Sequence, residues 1–139
     1  MRKFAATAAV LVILAAGAAH AEILHFGATL TGNDEVPPNT STGHGELSAE
    51  LETTEKVLVY RATYADLSGP AVAAHFHGPA APGADAPPVI MVNADTPIHG
   101  TAVLNDSQIA DLEAGKWYFN VHTQGHPGGE IRGQVKRLN

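Results

Sequence analysis

The chain has 139 residues, with 14 Asp and Glu against 8 Lys and Arg, and its formal net charge is −6. This acidic balance argues against nucleic acids and anionic membranes as partners, because both require a basic protein surface, and it favours cations. Cysteine is absent, which excludes disulfides, thiolate catalysis and cysteine-based metal sites.

Residues 1–21 have the pattern of a secretory signal peptide. Two basic residues precede an apolar run over residues 4–19, and an A-x-A cleavage site ends at Ala21. A membrane-spanning helix needs about 20 apolar residues, so an uncleaved anchor is the weaker interpretation. Cleavage removes two basic residues and no acidic one, which leaves a mature chain, residues 22–139, with a charge of −8. We expect this mature chain to be periplasmic or secreted, with no membrane attachment.

The mature chain has the size of one domain and the pattern of an all-β protein. Short alternating runs are separated by Gly, Pro, Asn and Asp at intervals of about ten residues, which is typical of an antiparallel sandwich or barrel. In KVLVYRATY, the alternation puts Leu58, Tyr60, Ala62 and Tyr64 on the predicted core face. In chain order, strands are predicted near residues 23–30, 44–52, 56–65, 71–77, 88–92, 98–104, 116–122 and 130–137.

The stretch NDSQIADLEAG predicts one short helical turn. Asn105 or Asp106 can cap its start, Ile109 and Leu112 share one side, and Gly115 follows as a stop signal. We expect this turn to pack as a lid on the sheet.

Three histidines are predicted to share the polar face of the sheet. His75 and His77 in AAHFH are two residues apart and point away from Phe76, because side chains alternate along a strand. In WYFNVHT, His122 alternates in the same way with Trp117, Phe119 and Val121. If the two strands are neighbours, about 4.8 Å apart, the three imidazoles can converge on one metal ion.

A fourth ligand is predicted from the TQGHPGG turn, where His126 follows His122 by four residues. Glu130, which alternates onto the same face, and His44 are the other candidates. Imidazoles suit copper and zinc, and we expect the affinity to fall below about pH 6, where ordinary imidazoles become protonated. An H-x-H pair alone is a weak signal, and surface or hydrogen-bonding histidines are the alternative interpretation.

Other chemistry has little support in the sequence. No serine lies in a G-x-S-x-G context, and GHPGGE lacks the lysine and the helix of a phosphate-binding loop. Asp34 and Glu35 form a carboxylate pair, but GNDEVPP is typical of a solvated turn. We therefore predict no catalytic residue and lean against an enzyme.

Three segments together resemble the CHRD domain, a module of chordin and of secreted bacterial proteins: LTGNDEVPPNTSTGHGEL, AAHFHGPA and GKWYFNVHTQGHPGGEIRGQV. The resemblance runs from about Ile23 to Leu138 and implies an immunoglobulin-like antiparallel β-fold. The family pattern includes the histidines at positions 75, 77 and 122, whereas His126 and His44 are additions of this sequence. In chordin these domains accompany cysteine-rich modules that bind growth factors, and this chain has no such module.

A looser similarity is to copper-zinc superoxide dismutase, in which an H-x-H strand on a β-sandwich holds copper. The chain lacks the cysteine pair of that enzyme and has no clear counterpart of its zinc-ligand cluster or of its substrate-guiding arginine, although Arg132 is predicted on the histidine face. A superoxide-dismutase-like architecture is therefore kept as an alternative to the immunoglobulin-like or Greek-key form.

The sequence leads to three hypotheses. The first is an exported domain that takes copper, or else zinc, through His75, His77, His122 and His126, and that sequesters or handles the metal. The second is a copper-dependent redox enzyme of the dismutase kind, and the third is an adhesion or protein-interaction module without metal. A protein partner stays open in each of them.

Overall fold

The computed structural model describes residues 20–139, so all but the last two residues of the predicted signal peptide lie outside the described residues. In the part that is described, no helix has the length and apolar character needed to cross a membrane. Over the same residues the chain forms nine strands, one α-helix and one 3-10 turn: β1 (Ile23–Thr31), the 3-10 turn (Gly32–Asp34), β2 (His44–Glu52), β3 (Val57–Ala65), β4 (Ala71–His77), β5 (Pro88–Val92), β6 (Ile98–Val103), α1 (Asp106–Glu113), β7 (Tyr118–Thr123), β8 (His126–Gln134) and β9 (Lys136–Arg137).

The strands form one antiparallel sheet that curls into a nearly closed barrel. Its order is β5-β4-β7-β8-β1-β2-β3-β6, and β9 pairs with β1. The predicted all-β antiparallel fold is confirmed, and of the predicted forms the sheet takes the barrel. In this order β4 pairs directly with β7, although β5, β6 and α1 lie between them in the sequence.

Seven of the eight predicted strands agree with the structure to within two residues at each end. The last one was predicted over 130–137; the structure begins β8 earlier, at His126, and separates it from β9 at Val135. The helix is confirmed as α1, whose first turn is closed by a capping box between Asn105 and Gln108. On its inner side, Leu112 is completely buried.

Aromatic side chains fix how β4 and β7 face the interior. Phe76 is fully buried, and its ring centroid lies 5.2 Å from that of Tyr60, 5.9 Å from Trp117 and 4.8 Å from Phe119. Such edge-on pairs add to the free energy of burying the rings. With Phe76 and Phe119 held inside the barrel, the neighbouring histidines must point to the opposite face.

The opposite face of β4, β7 and β8 is covered by the loop of residues 78–87. Arg132 donates to Asp85 Oδ1 at 3.0 Å, and Gln134 donates to the carbonyl oxygen of Ala80 at 2.9 Å. Loop and sheet thus enclose a second, polar interior beside the apolar core. Polar groups placed there are buried, so each of them needs a partner inside the protein.

Candidate metal centre

The three histidines of the predicted face converge, because β4 pairs with β7 in a register that sets His75 opposite Asn120 and Ala73 opposite His122. One ring nitrogen from each of His75, His77 and His122 lies within 4.8 Å of the others. The shortest of these separations joins His75 Nδ1 to His122 Nε2, at 3.1 Å. The three side chains therefore form a cluster, the histidine triad, that could hold a metal ion.

Two backbone carbonyls determine the tautomers of two triad members. His77 Nδ1 lies 2.8 Å from the carbonyl oxygen of Ala86, and His122 Nδ1 lies 2.9 Å from that of Pro127. A carbonyl oxygen only accepts hydrogen bonds, so each Nδ1 carries the proton and donates it. The lone pair of a neutral ring then lies on Nε2, which is the arrangement that metal-binding histidines usually have.

Both of these Nε2 atoms face the side chain of Asn120. Its Oδ1 lies 3.0 Å from His77 Nε2 and 2.9 Å from His122 Nε2. Amide oxygens and unprotonated ring nitrogens are all acceptors, so three acceptor atoms face one another here. His75 Nδ1–H, 3.1 Å from His122 Nε2, can satisfy one of them, whereas His77 Nε2 and Asn120 Oδ1 face each other as two acceptors. An arrangement of this kind suits a cation.

Burial keeps two of the imidazoles neutral at ordinary pH. Burial, together with the nearby His122 and His77 rings, lowers the pKa of His75 to about 4. Burial also lowers the pKa of His122, against the hydrogen bond to Pro127, which raises it. Because a metal ion binds the unprotonated imidazole, these lone pairs remain available well below pH 7.

The ring of His77 is held in place by stacking as well as by its hydrogen bonds. Its plane is 4° from that of Tyr118, and the ring centroids are 4.6 Å apart. The Arg132 guanidinium carbon lies 3.4 Å from the centroid of the Tyr118 ring, close enough for a cation–π contact. Arg132 is itself fixed by the loop, through Asp85 and the carbonyl oxygen of Ala84. The resulting stack limits rotation of the His77 ring.

The triad is open to solvent on one side. His75 is partly exposed, whereas His77 and His122 are buried. A surface cavity of about 510 Å³ is lined by His75 and His122, and by the apolar side chains of Val72 and Pro127 among others. A small ligand can therefore approach the two outer histidines of the triad.

The structure does not bring His126 to the triad. It pairs with Thr123, whose side chain points to the face opposite its neighbour His122, and it lines a separate pocket with Ser41 and Ser68. The register between β7 and β8 shifts between Val121 and Thr123, and this irregularity places His126 on the other face. His44 is also distant from the cluster; it is exposed and lies 3.7 Å from Asp66.

Glu130 does not share the histidine face either. Its carboxylate is completely buried and accepts hydrogen bonds from the Ser41 hydroxyl at 2.5 Å, the Ser68 hydroxyl and backbone N–H at 2.7 Å, and the Thr123 hydroxyl at 2.6 Å. Burial alone would raise its pKa, but these hydrogen bonds outweigh burial and lower the pKa to about 2. Glu130 is a structural tie between β8 and two loops.

Two residues near the triad were not identified from the sequence. Asn120 lies two residues before His122 in β7, so the sequence predicts that both side chains share one face, but it does not predict the contact of Asn120 with the histidines. Glu35 was expected in a solvated turn, which is wrong: the residue is only 4% exposed, and its Oε1 has no hydrogen-bond partner within residues 20–139. Burial raises its pKa to about 7, although the charge of Arg132 opposes the rise. The motif GNDEVPP does not predict the burial of Glu35, because that burial results from the reversal of the chain after β1.

Comparison with known proteins gives one match. The family model of the CHRD domain matches residues 26–135, which include the whole triad and both Asn120 and Glu35. No curated protein and no solved structure matches the chain. Because the family model covers most of the sequence, the chain belongs to the CHRD domain family.

Proposed function

We propose that this CHRD domain binds a transition metal ion, copper in preference to zinc, through His75, His77 and His122, and that it sequesters or handles this metal outside the cytoplasm. The observation that carries the proposal is the pair of Nε2 lone pairs that point at one centre while each Nδ1–H is bound by a backbone carbonyl. The location rests on the leader sequence alone.

The ligand chemistry supports copper over the hard cations. Three neutral imidazoles form a nitrogen donor set, and nitrogen sites bind Cu(II) more tightly than Zn(II), whereas Mg²⁺ and Ca²⁺ prefer oxygen ligands. With His126 elsewhere in the fold, the protein supplies three imidazoles, and the open side of the triad leaves room for water or an external fourth ligand.

Isothermal titration with Cu(II) and Zn(II) tests this proposal. The parent protein is compared with a variant in which the three triad histidines are alanine, and with a control variant that loses three histidines outside the triad. We expect one tight Cu(II) site in the parent and in the control, and its loss in the triad variant. Equal binding by all three proteins would refute the assignment. The control variant combines His25→Ala, His44→Ala and His126→Ala.

A second candidate function is a copper-dependent redox reaction of the dismutase kind. The cavity beside His75 and His122 favours it, because a redox substrate needs an open coordination position and a path to the metal. The test is the rate of superoxide removal by the copper-loaded protein. A rate no greater than that of the same concentration of free copper would leave metal handling as the function.

The third hypothesis, an interaction module without metal, makes a different prediction for the same variants. In that case His75 donates Nδ1–H to His122 Nε2, and the triad only joins β4 to β7. Replacing the triad would then lower the free energy of unfolding and leave the heat of copper titration unchanged. Unfolding in urea, measured on the same samples, separates the two readings.

A further inference from the structure

The side chain of Asn120 can face the histidine triad in two ways. An amide presents either an acceptor oxygen or a donor NH₂ group, and the two orientations have nearly the same shape. In the structure the oxygen faces the triad, about equally close to the Nε2 atoms of His77 and His122. The orientation of this one amide determines whether Asn120 presents an acceptor or two donors to His77 and His122.

The opposite orientation would close the site. The NH₂ group has two hydrogens, and it could donate one to His77 Nε2 and the other to His122 Nε2. Both lone pairs would then be occupied by hydrogen bonds within the protein, and a metal ion would have to break both of them. A group that disfavours this orientation therefore keeps the triad available to a cation.

Glu35 lies on the far side of Asn120 from the triad. Its Oε1 and Asn120 Nδ2 lie together against the backbone of Gly129, and both occupy the space that a side chain at position 129 would need. The NH₂ group of Asn120 faces this carboxyl group and lowers the pKa of Glu35, although within residues 20–139 no contact of Oε1 has the geometry of a hydrogen bond. The charged side chains that act on this carboxyl group are those of Arg132 and Asp85.

We infer that Glu35 is a positioning residue of the metal site: its carboxylate holds the NH₂ group of Asn120, so that the amide oxygen faces His77 and His122 and the site stays open to a cation. The physical reason is that above its pKa of about 7 Glu35 is a carboxylate, which only accepts hydrogen bonds, so it attracts the NH₂ group and repels the amide oxygen. This inference rests on the proposed metal binding by the triad.

The substitution Glu35→Gln tests the inference, because it keeps the shape and adds a donor. The glutamine NH₂ group can bind the Asn120 oxygen, so the Asn120 amide turns its NH₂ group to the triad. We expect Cu(II) affinity to fall by about 10- to 100-fold, which is the usual cost of losing such an outer partner of a metal site. Glu35→Asp, which keeps a carboxylate, should recover a large part of the affinity.

The matched control is Asp34→Asn, which removes the same charge one residue away. The Asp34 side chain is exposed and accepts a hydrogen bond from the Thr31 hydroxyl at 2.9 Å. We expect its Cu(II) affinity to equal that of the parent within about twofold. A loss in the control as large as in Glu35→Gln would mean that net charge, and not the amide, sets the affinity, and would overturn the inference.

A measurement on the metal-free protein separates this inference from the proposed function. Nitrogen-15 NMR distinguishes an Nε2 atom that accepts a hydrogen bond from one that does not. We expect the His77 signal of Glu35→Gln to move in the direction of a hydrogen-bonded Nε2, and that of Asp34→Asn to match the parent. An unchanged His77 signal in Glu35→Gln overturns the inference. Failure of the parent to bind Cu(II) would refute the proposed function, and the NMR comparison would then decide the role of Glu35 alone.

Stability measurements exclude a purely structural explanation. Because burial disfavours the charged form of Glu35, its replacement by neutral glutamine should leave the midpoint of urea unfolding at pH 8 unchanged or higher. A variant that loses Cu(II) affinity while it keeps or gains stability supports a positioning role. A loss of affinity that occurs only together with a lower unfolding midpoint would contradict it.

Discussion

The substitution Glu130→Gln should destabilise the protein in a manner that depends on pH. The parent carboxylate accepts four hydrogen bonds, one each from Ser41 and Thr123 and two from Ser68. Glutamine has a single acceptor oxygen and adds an NH₂ group, so it cannot accept all four, and the Ser68 backbone N–H has no other orientation available. Buried donors that lose a charged acceptor cost more than the average hydrogen bond.

The magnitude follows from the pKa of Glu130, which falls from 4.5 to about 2 on folding. Each pKa unit corresponds to about 1.4 kcal/mol, so the carboxylate contributes about 3 kcal/mol above pH 4.5. Because the folded pKa is the lower one, this contribution is lost as the pH falls from 4.5 to 2. Glutamine does not titrate, so the difference between parent and variant should be about 3 kcal/mol at pH 7 and less than half of that at pH 3.

Urea unfolding of both proteins at pH 7 and pH 3 measures the two differences. Glu46→Gln is the matched control, because Glu46 is exposed and accepts, among residues 20–139, only from the Thr29 hydroxyl; its effect should stay within about 0.5 kcal/mol. A difference below 1 kcal/mol for Glu130→Gln at pH 7, or the same difference at both pH values, would refute the reasoning.

Two further predictions concern the triad and its surroundings. The pKa of His75 is about 4 and that of His122 is also lowered, so protons compete with the metal at lower pH than they do for three ordinary imidazoles. The fall in Cu(II) affinity that the sequence predicts below about pH 6 should therefore begin at a lower pH. Between pH 6.5 and 4.5, Cu(II) affinity should fall by no more than about a hundredfold per pH unit, because His75 keeps its lone pair through most of this range; titration calorimetry showing a loss near a thousandfold per unit would contradict this. Gly129→Ala should destabilise the fold by about 3 kcal/mol and weaken Cu(II) binding, because φ is 126° and a Cβ there would meet Glu35 Oε1 and Asn120 Nδ2. Thermal unfolding and the same titration check it, and an alanine variant with parental stability would show that the space is not filled as described.

The strands and their faces were predictable because local patterns encode them. Alternation placed Phe76 in the core and His75 and His77 on the other face, and the cap at Asn105 marked the start of α1. The neighbourhood of β4 and β7 had to be assumed, because pairing between strands that are distant in the chain leaves no local trace.

The fourth ligand was not predictable for a related reason. His126 was proposed from its spacing to His122, and Glu130 from its alternation with Arg132 in the last strand. The register shift opposite Val121 and Thr123 interrupts the regular pairing of β8 at these residues, so neither argument holds there. The burial of Glu35 depends on which strands surround the turn after β1, which is a property of the whole barrel. Residues inside regular strands were therefore assigned correctly, and residues beside irregular turns were not.

The triad joins parts of the chain that are far apart: His75 and His122 are separated by 47 positions. An unfolded chain presents His75 and His77 as an isolated pair, and the third imidazole arrives only when β4 and β7 have paired. Under the proposed function, tight binding is therefore a property of the assembled barrel, and a bound ion would be released when these strands separate. Because a ligand that binds only the folded state stabilises that state, saturating metal should raise the thermal midpoint of the intact barrel. It should have no such effect on a peptide that contains HFH alone.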